Sequence, residues 1–331
     1  MAIAMNAKIP IHILPANEFG GEYERTDNMY QSFLERVSAE ARIKNISEAE
    51  SRLVELKRSG KNGVNLHDIL HKMGRDPEHF SSIHVDGTSP LCHAAKIGAA
   101  GFRALDIFYN WNEKYAPNLG SDANGELARK WIGGMENRQA VTNRKKIVVH
   151  ELVKAIGNVV DGEVVRIFSL AGGDSQVVIE AIKKSDRKVS VFLVDPDRDA
   201  LNAAKKNAEA AGLSDSFTVK RGLHSSAKKL AMEFRPHIFD VVGLMDYLPD
   251  EKVIEVVSIA RDSICEGGTL ITGNIINNKE RVFLEDVLLW FMTYREPEEL
   301  GELILKGGFS SDRVKIICEP FRIHGIAVCR K

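Results

Sequence analysis

The pattern of apolar and polar positions divides the chain into two regions of different periodicity. In the first region apolar residues recur three or four positions apart among charged residues, as they do in amphipathic helices. We expect helices over about 27–57, after Pro90 and over about 124–157, separated by glycine- and asparagine-containing breaks. From residue 164 onward, short runs rich in β-branched residues alternate with helical segments. The sequence therefore predicts a helical region followed by an α/β region.

The runs of the second region predict a parallel sheet covered by helices. They are apolar throughout instead of alternating, which is typical of strands buried on both faces. Parallel strands are expected at 164–170, 189–194, 217–221, 239–245 and 269–275. The last two runs, 314–318 and 321–329, are joined too closely for a parallel return, so they should pair as an antiparallel hairpin.

These expectations define a fold class and a domain division. The fold is a doubly wound α/β sheet of seven strands, mostly parallel, with a terminal antiparallel hairpin. We assign this sheet to residues 141–331 and an N-terminal helical module to residues 1–140. Two helices, at about 279–292 and 296–306, are expected to precede the hairpin.

Composition and charge exclude several classes of partner. The chain has 45 Lys and Arg against 46 Asp and Glu, so binding to nucleic acid through phosphate neutralisation is not expected. Its four cysteines are widely spaced without a Cys-x-x-Cys pair, which favours a reducing compartment. The longest apolar stretches are shorter than the roughly 20 residues of a membrane helix, and the start lacks the pattern of a secretion signal. We expect a soluble cytoplasmic protein without a membrane partner; a homodimer stays open.

The turn after the first predicted strand has the features of a ligand-binding loop. It reads IFSLAGGDSQ and opens a helix, where small residues and backbone N–H groups let a ligand approach the main chain. It does not match the dinucleotide pattern G-x-G-x-x-G. An ordinary tight turn between strand and helix is the alternative interpretation. The candidate contacts in this turn are Ser169, Ala171, Gly172, Gly173 and Ser175.

An aspartate at the end of the second strand is the stronger signal. Asp195 follows Gly173 by 22 residues and is itself followed by Pro196. A carboxylate at this point of a doubly wound sheet can accept hydrogen bonds from both ribose hydroxyls of an adenosine. The alternative is an aspartate that caps the next helix, but Asp197 is better placed for that role.

Polar side chains also follow the fourth and fifth strands. Met245, Asp246 and Tyr247 come after the fourth strand, and Asn274 lies near the end of the fifth. The carboxyl ends of parallel strands line the crevice in which such sheets bind ligands. We therefore expect these four residues to lie near a bound ligand.

The predicted helix at 279–292 carries an aromatic stripe with two interpretations. Phe283, Val287, Phe291 and Tyr294 are spaced four, four and three residues apart, which is typical of a helix face buried in a core. The residues near its end could instead contact a substrate. They are Trp290, Tyr294 and Arg295.

The stretch from Gly243 to Leu300 resembles a bacterial branch of class I S-adenosylmethionine-dependent methyltransferases. That branch carries G-L-F-D-Y-L-P-D, then G-N-F, then N-x-x-R-x-x-M-E-x-x-L-x-W-x-x-x-Y-R. Here the three segments read GLMDYLPD, GNI and NKERVFLEDVLLWFMTYR. The likeness to the class as a whole extends over about 145–331, and the terminal hairpin is one of its marks.

The first turn departs from the general pattern of that class, hydrophobic-D-x-G-x-G-x-G. Ser169 stands at the acidic position, Ala171 at the first glycine and Ser175 at the last. The bacterial branch tends to have S-x-A-C-G-P-A, which matches Ser169, Ala171 and Gly173. Asp174 and Ser175 differ from both patterns.

The resemblance implies S-adenosylmethionine as methyl donor and leaves the acceptor undefined. It places the donor on the first turn, Asp195, Pro196, Met245 and Asp246. Because no carboxylate follows the third strand, the backbone and Leu223 are expected to contact the adenine.

Methyl transfer needs a catalytic base only when the acceptor is protonated, as a hydroxyl or carboxylic acid is. The candidates are Asp246, Tyr247 and Tyr294, whereas His324 is expected to be structural. Arg295 could hold an acceptor carboxylate through a bidentate contact. Asn274, Trp290 and Tyr294 are further candidate substrate contacts. The acceptor is expected to be small and partly apolar, with an oxygen or nitrogen nucleophile, in a pocket to which the helical module contributes.

Two other function classes stay open at this point. A nicotinamide-dependent oxidoreductase could use the same sheet, although the missing third glycine and the terminal hairpin count against it. A non-catalytic binding protein could retain the fold with an altered first turn. Binding of S-adenosylmethionine or of a nicotinamide nucleotide distinguishes these classes.

Two polar clusters have simpler interpretations. A basic cluster before the sheet comprises Arg138, Arg144, Lys145 and Lys146; a solvated helix face is expected, and contact with an anion is the alternative. Five of the ten histidines lie close together in the helical region, where no complete metal-ligand pattern surrounds them, so no metal is expected. They are His67, His71, His79, His84 and His93.

Overall fold

The computed structural model describes residues 9–61, 63–79 and 89–331, so His84 lies outside the described residues. The chain divides into two compact units. The sheet unit contains the described residues up to Gly21, then Asn143–Asn277 and Met292–Lys331. The helical unit contains Glu22–Thr142 and Asn278–Phe291. This division differs from a single boundary at residue 140, because the N-terminal segment belongs with the sheet and Asn278–Phe291 belongs with the helices.

The sheet has eight strands within the described residues, in the order β1-β7-β8-β6-β5-β2-β3-β4. Strand β8 is antiparallel to both of its neighbours, and all other pairs are parallel. The predicted doubly wound sheet with a terminal antiparallel hairpin is thereby confirmed. The strands are β1 Ile11–Ile13, β2 Val165–Leu170, β3 Val189–Asp195, β4 Phe217–Arg221, β5 Ile238–Val241, β6 Thr269–Ile275, β7 Val314–Cys318 and β8 His324–Arg330.

The eighth strand was not expected from the sequence. Strand β1 is three residues long and pairs in parallel with β7, with Ile11 opposite Ile316 and Ile13 opposite Cys318. A run this short carries no measurable periodicity. Residues 11–13 form a strand because they pair with the edge of β7, which is distant from them in sequence.

Helices cover both faces of the sheet. On one face, Leu152 of α7 and Val178 of α8 pack with strand residues such as Ile167. On the other face, residues of α10, α11 and α13 pack around Phe239. Helix α7, Glu136–Gly157, spans both units and belongs to the sheet unit from Asn143 onward. The other helices of the sheet unit are α1 Ala16–Phe19, α8 Gln176–Lys183, α9 Arg198–Ala210, α10 His224–Phe234, α11 Asp250–Ser263 and α13 Pro297–Lys306.

The helical unit contains the amphipathic helices expected in the first region. Its longest helix begins after Asp27, whose side chain accepts a hydrogen bond from the backbone N–H of Tyr30 and caps the first turn. The stretch after Pro90 forms two helices instead of one, broken at 98–101. The helices are α2 Asn28–Arg58, α3 Leu66–Arg75, α4 Pro90–Ile97, α5 Phe102–Tyr109, α6 Ala123–Ala128, the first turns of α7, and α12 Arg281–Asp286.

The helix expected over 279–292 is much shorter than predicted. Helix α12 ends at Asp286, and the chain from 287 to 296 has no regular secondary structure, with Leu289 in the left-handed region at φ 50°. The predicted stripe of Phe283, Val287, Phe291 and Tyr294 is therefore not one helix face. The apolar run is buried as irregular backbone, which periodicity alone cannot distinguish from a buried helix.

A buried acid, Asp240, lies in β5 next to β2. Ser169 in β2 is opposite Asp240 in β5, and its hydroxyl donates a 2.8 Å hydrogen bond to Asp240 Oδ2. Asp240 Oδ1 has no hydrogen-bond partner among the described residues. Burial raises the pKa of Asp240 to about 6, although the Ser169 hydrogen bond opposes the shift. The charged form is thus disfavoured in the folded protein.

We expect Asp240→Asn to stabilise the protein at neutral pH and to have little effect in mild acid. The pKa of Asp240 is higher when folded than when unfolded, so stability is lost as pH rises from about 4 to 6. At about 1.4 kcal/mol per tenfold change in proton affinity, the charged carboxylate costs on the order of 3 kcal/mol. Urea unfolding at pH 4.5 and pH 7.5 measures this difference. Asp186→Asn, at an exposed acid, is the control; a gain that is equal at both pH values would contradict the assignment.

Candidate functional site

The predicted site residues that follow the strands lie at the carboxyl edge of the sheet unit. The first turn connects β2 to α8, and alternate residues have left-handed backbone: Ala171 at φ 53°, Gly173 at φ 58° and Ser175 at φ 60°. This conformation costs a non-glycine residue about 1–2 kcal/mol. The residues that replace glycines at 171 and 175 therefore keep a backbone conformation that glycine adopts without strain. Strain of this kind is concentrated at functional sites.

Close contacts hold this turn in place. The N–H of Ala171 donates to the carbonyl of Val194 at 2.7 Å, and that of Ser175 donates to the carbonyl of Gly172 at 3.0 Å. A Cβ at Gly172 would lie 2.3 Å from Ser169 Oγ, so only glycine fits there. The Ser175 hydroxyl is buried and has no hydrogen-bond partner among the described residues. The turn thus presents one unused hydroxyl at the start of α8.

Asp195 connects the second strand to this turn. Its Oδ2 accepts a 3.0 Å hydrogen bond from the N–H of Gly173, and its Oδ1 accepts one of 2.9 Å from the N–H of Asp197. The residue is 6% exposed, and burial raises the pKa of the carboxyl group despite these two donors. Asp197 caps α9 by accepting from the N–H of Asp199, as expected. The Asp195 carboxylate is therefore available at the end of β3 for a role other than capping.

The loop after β4 lies beside Asp195. The N–H of Gly222 donates to the backbone carbonyl of Asp195 at 3.1 Å, and Arg221 Nε donates to the carbonyl of Pro196. Leu223 follows and is 58% exposed. An exposed leucine next to a strand end offers an apolar surface to a flat ligand.

Asp246 is fixed by backbone contacts at the end of β5. Its Oδ1 accepts from the N–H of Ile275 at 2.7 Å, and its backbone carbonyl accepts from the N–H of Thr293 at 2.7 Å. Its Oδ2 lies 3.8 Å from Arg144 Nη1. Burial raises the pKa of Asp246, while the charge of Arg144 opposes the shift.

His324 lies near the same charged pair. It is the first residue of β8, opposite Ile275, and is 2% exposed. Neither ring nitrogen has a hydrogen-bond partner among the described residues. Burial and, to a smaller extent, Arg144 lower the pKa of His324 well below its usual value, so the ring is neutral. The sequence offered no signal that His324 and Asp246 share this region, because 78 residues separate them.

The basic cluster before the sheet is not the solvated face that the sequence predicts. Arg138 is 3% exposed and pairs with Glu22, and Arg144 is 6% exposed near Asp246. The prediction is therefore wrong for these two arginines. The two lysines of the cluster make other contacts within the sheet unit. Lys145 forms an ion pair with Glu180 at 3.0 Å, and Lys146 donates a hydrogen bond to the carbonyl of Gly20.

Arg295 is a structural residue in this conformation, not a free carboxylate clamp. Its Nε and Nη2 donate to Asp250 Oδ1 at 3.0 and 2.8 Å. Its remaining N–H groups donate to the carbonyls of Met245 and Leu248 and to Asn274 Oδ1. All five guanidinium donors are thereby used within the protein. Asn274 is likewise committed, since its Nδ2 also bonds the carbonyls of Ile275 and Thr293.

The three aromatic candidates occupy different places. Tyr247 is partly exposed in the short turn after β5, and Tyr294 is partly buried beside Arg295 in the sheet unit. Trp290 belongs to the helical unit, where it is buried and stacks on Phe108 at a ring separation of 6.4 Å. The structure therefore gives Trp290 a packing role in that unit.

The described histidines of the helical unit have ordinary contacts. His79 is buried with its Nε2 2.9 Å from Glu48 Oε2. The His67 ring lies 4.7 Å from that of Phe291. Within 9–61, 63–79 and 89–331, no group of His, Cys, Asp or Glu side chains is arranged to hold a metal ion.

Comparison with solved structures identifies similar folds. A protein from Bordetella parapertussis described as a possible exported protein aligns over 89% of this chain and 96% of its own, at 14% identity and a TM-score of 0.62. The methyltransferase SibL in its apo form aligns over 91% and 96%, at 13% identity and a TM-score of 0.46. A protein from Nostoc punctiforme described as a "putative O-methyltransferase" aligns over 69% of this chain and 70% of its own, at 14% identity and a TM-score of 0.43.

The likeness to the Bordetella parapertussis protein concerns the fold alone, because the identity is low. No curated protein matches the chain in sequence. Over the part of the chain that the structure describes, no helix has both the length and the apolar character that crossing a bilayer requires.

A family model extends the comparison to the sequence itself. It covers residues 39–331, which include strands β2 to β8 with the terminal hairpin and most of the helical unit. The chain belongs to the family described as "Putative methyltransferase".

Proposed function

We propose that this protein transfers the methyl group of S-adenosylmethionine to a small, partly apolar acceptor through an oxygen or nitrogen nucleophile. The observation that carries the proposal is the strained turn at 171–175 held by the Asp195 carboxylate at the carboxyl edge of the sheet. Membership of a methyltransferase family supports the reaction class.

The donor is proposed to bind across three neighbouring loops. Each Asp195 oxygen accepts one backbone N–H and keeps acceptor capacity for a ribose hydroxyl. The exposed side chain of Leu223 would contact the adenine. The unused hydroxyl of Ser175 and the amino end of α8 would receive the polar methionine portion.

The sulfonium of the donor is already activated, so the protein mainly has to align the reactants and exclude water. The acceptor oxygen or nitrogen forms a bond to the methyl carbon while the carbon–sulfur bond breaks. The bonding electron pair stays on sulfur and yields S-adenosylhomocysteine. If the acceptor atom carries a proton, a nearby base must take it.

Asp246 is the proposed base for a protonated acceptor such as a hydroxyl or carboxylic acid. Its position after β5 matches the carboxyl edge at which such sheets bind ligands. Burial raises the pKa of its carboxyl group, which makes it a stronger base than an exposed aspartate. Tyr247 and Tyr294 are proposed acceptor contacts, because both lie in the sheet unit and neither is fully buried.

We expect Asp195→Asn to weaken the binding of S-adenosylhomocysteine by about 10- to 100-fold. Hydrogen bonds to a charged group contribute about 1.5–3 kcal/mol, and the amide replaces one acceptor oxygen with a donor. Isothermal titration calorimetry measures the affinity. Asp197→Asn is the matched control, since asparagine still caps α9.

The same titration tests the proposal as a whole. Unchanged affinity in Asp195→Asn would remove this residue from the donor site. Binding of NAD or NADP without binding of S-adenosylmethionine would instead make the protein a nicotinamide-dependent enzyme. Failure to bind any of these nucleotides would favour a non-catalytic role.

For a protonated acceptor, we expect Asp246→Asn to lower kcat by about 100-fold or more, because the amide cannot take the acceptor's proton. Transfer of tritiated methyl to a panel of small phenols and carboxylic acids identifies the acceptor. In the wild type, kcat should rise with pH as Asp246 ionises. In the variant, this rise of kcat with pH should be absent. Tyr247→Phe is the comparison variant at the neighbouring position. A variant that keeps the wild-type pH profile and a normal kcat excludes Asp246 as the base.

A further inference from the structure

A second cleft lies in the sheet unit, away from the carboxyl edge of the parallel strands. It has a volume of about 520 Å³, within the range of small-ligand sites. Its walls include Thr269 and Val314, the first residues of β6 and β7, and Arg330, the last residue of the antiparallel β8. These strand ends define the amino edge of the sheet. The cleft is therefore separate from the proposed donor site.

Two arginines lie at neighbouring positions along this cleft. Val314 of β7 pairs with Cys329 of β8; Arg313 precedes Val314 at the end of a short 3-10 turn, and Arg330 follows Cys329 at the end of β8. Both side chains line the cleft and both residues are exposed. Like charges held close together repel each other, and a bound anion would offset that repulsion.

The charges around the two arginines do not neutralise them. Neither guanidinium makes a hydrogen bond or an ion pair within 4.0 Å to any residue that the structure describes. The charged side chains that line the cleft comprise four cations and two carboxylates. One of these acids, Asp312, is exposed and also accepts a hydrogen bond from the Ser310 hydroxyl. Both guanidiniums are therefore available to a ligand in the cleft.

The one buried acid in the cleft wall is already used by two lysines. Glu151 of α7 is buried, and its oxygens lie 2.8 Å from Lys315 Nζ and 3.3 Å from Lys154 Nζ. These contacts lower the pKa of Glu151 despite its burial. One carboxylate shared by two ammonium groups leaves the cleft wall cationic as well.

We propose that this cleft binds a small anion that carries a phosphate group, with Arg313 and Arg330 as its principal ligands. Guanidinium groups bind phosphate oxygens in bidentate geometry and stay charged at every physiological pH. Lys154 and Lys315 would add long-range attraction while Glu151 holds them in place. The near-neutral net charge of the chain makes a small ligand a better fit than a nucleic acid. The proposal does not depend on the methyl-transfer proposal.

Isothermal titration of the full chain with inorganic pyrophosphate at constant ionic strength tests this site. Wild-type protein should bind pyrophosphate, and Arg313→Gln and Arg330→Gln should each weaken binding by about tenfold or more. Lys229→Gln, at an exposed lysine of α10, is the control and should bind like the wild type. Citrate, which has comparable charge without phosphate, should bind more weakly.

Thermal unfolding without phosphate provides a second readout. Removing one of two neighbouring like charges should leave the melting temperature of Arg313→Gln equal to or higher than that of the wild type. Pyrophosphate should then raise the melting temperature of the wild type and leave that of the double variant unchanged. Absence of pyrophosphate binding, equal binding by the double variant, or equal binding of citrate would each overturn the proposal.

Discussion

The hydrogen bond from the N–H of Gly173 to Asp195 is the contact on which the candidate site depends. It joins the end of β3 to the turn after β2, and the second oxygen of the same carboxylate organises the start of the next loop at Asp197. The backbone carbonyl of Asp195 accepts a hydrogen bond from the N–H of Gly222, which holds the loop after β4 next to the other two loops. One residue thus orders three loops that are distant in sequence, because adjacent parallel strands bring their carboxyl ends to one edge.

The carboxyl edge also concentrates features that cost stability. Ala171 and Ser175 adopt left-handed backbone, Asp240 and Asp246 are buried acids with raised pKa values, and His324 is a buried ring without hydrogen-bond partners among the described residues. Strain and incompletely paired polar groups persist where the surrounding structure enforces them, and they are characteristic of functional sites. At the opposite edge, Arg313 and Arg330 line one cleft and place two positive charges at neighbouring positions. The two edges differ in chemistry, since one presents carboxylates and the other presents cations.

Much of the fold could be predicted because its signals are local and strong. Runs such as 165–170 and 269–275 are apolar and bounded by turns, so their strand character and their parallel orientation in one sheet followed from burial on both faces. The short connection before His324 required an antiparallel return. Periodicity failed where the chain is apolar all round, as at 287–291, and where a strand is three residues long, as at β1. In both places tertiary contacts, not local preference, determine the conformation.

The sequence by itself determined which residues follow the strands, and hence that Asp195, Asp246 and the small-residue turn share one edge. Only the tertiary structure decided which polar groups are free. It showed that Arg295 donates all its hydrogen bonds within the protein, that Arg144 lies buried near Asp246, and that Ser169 is bonded to Asp240. The reason is physical: position along a strand follows from chain order, whereas the partner of a polar side chain depends on residues brought near it by folding.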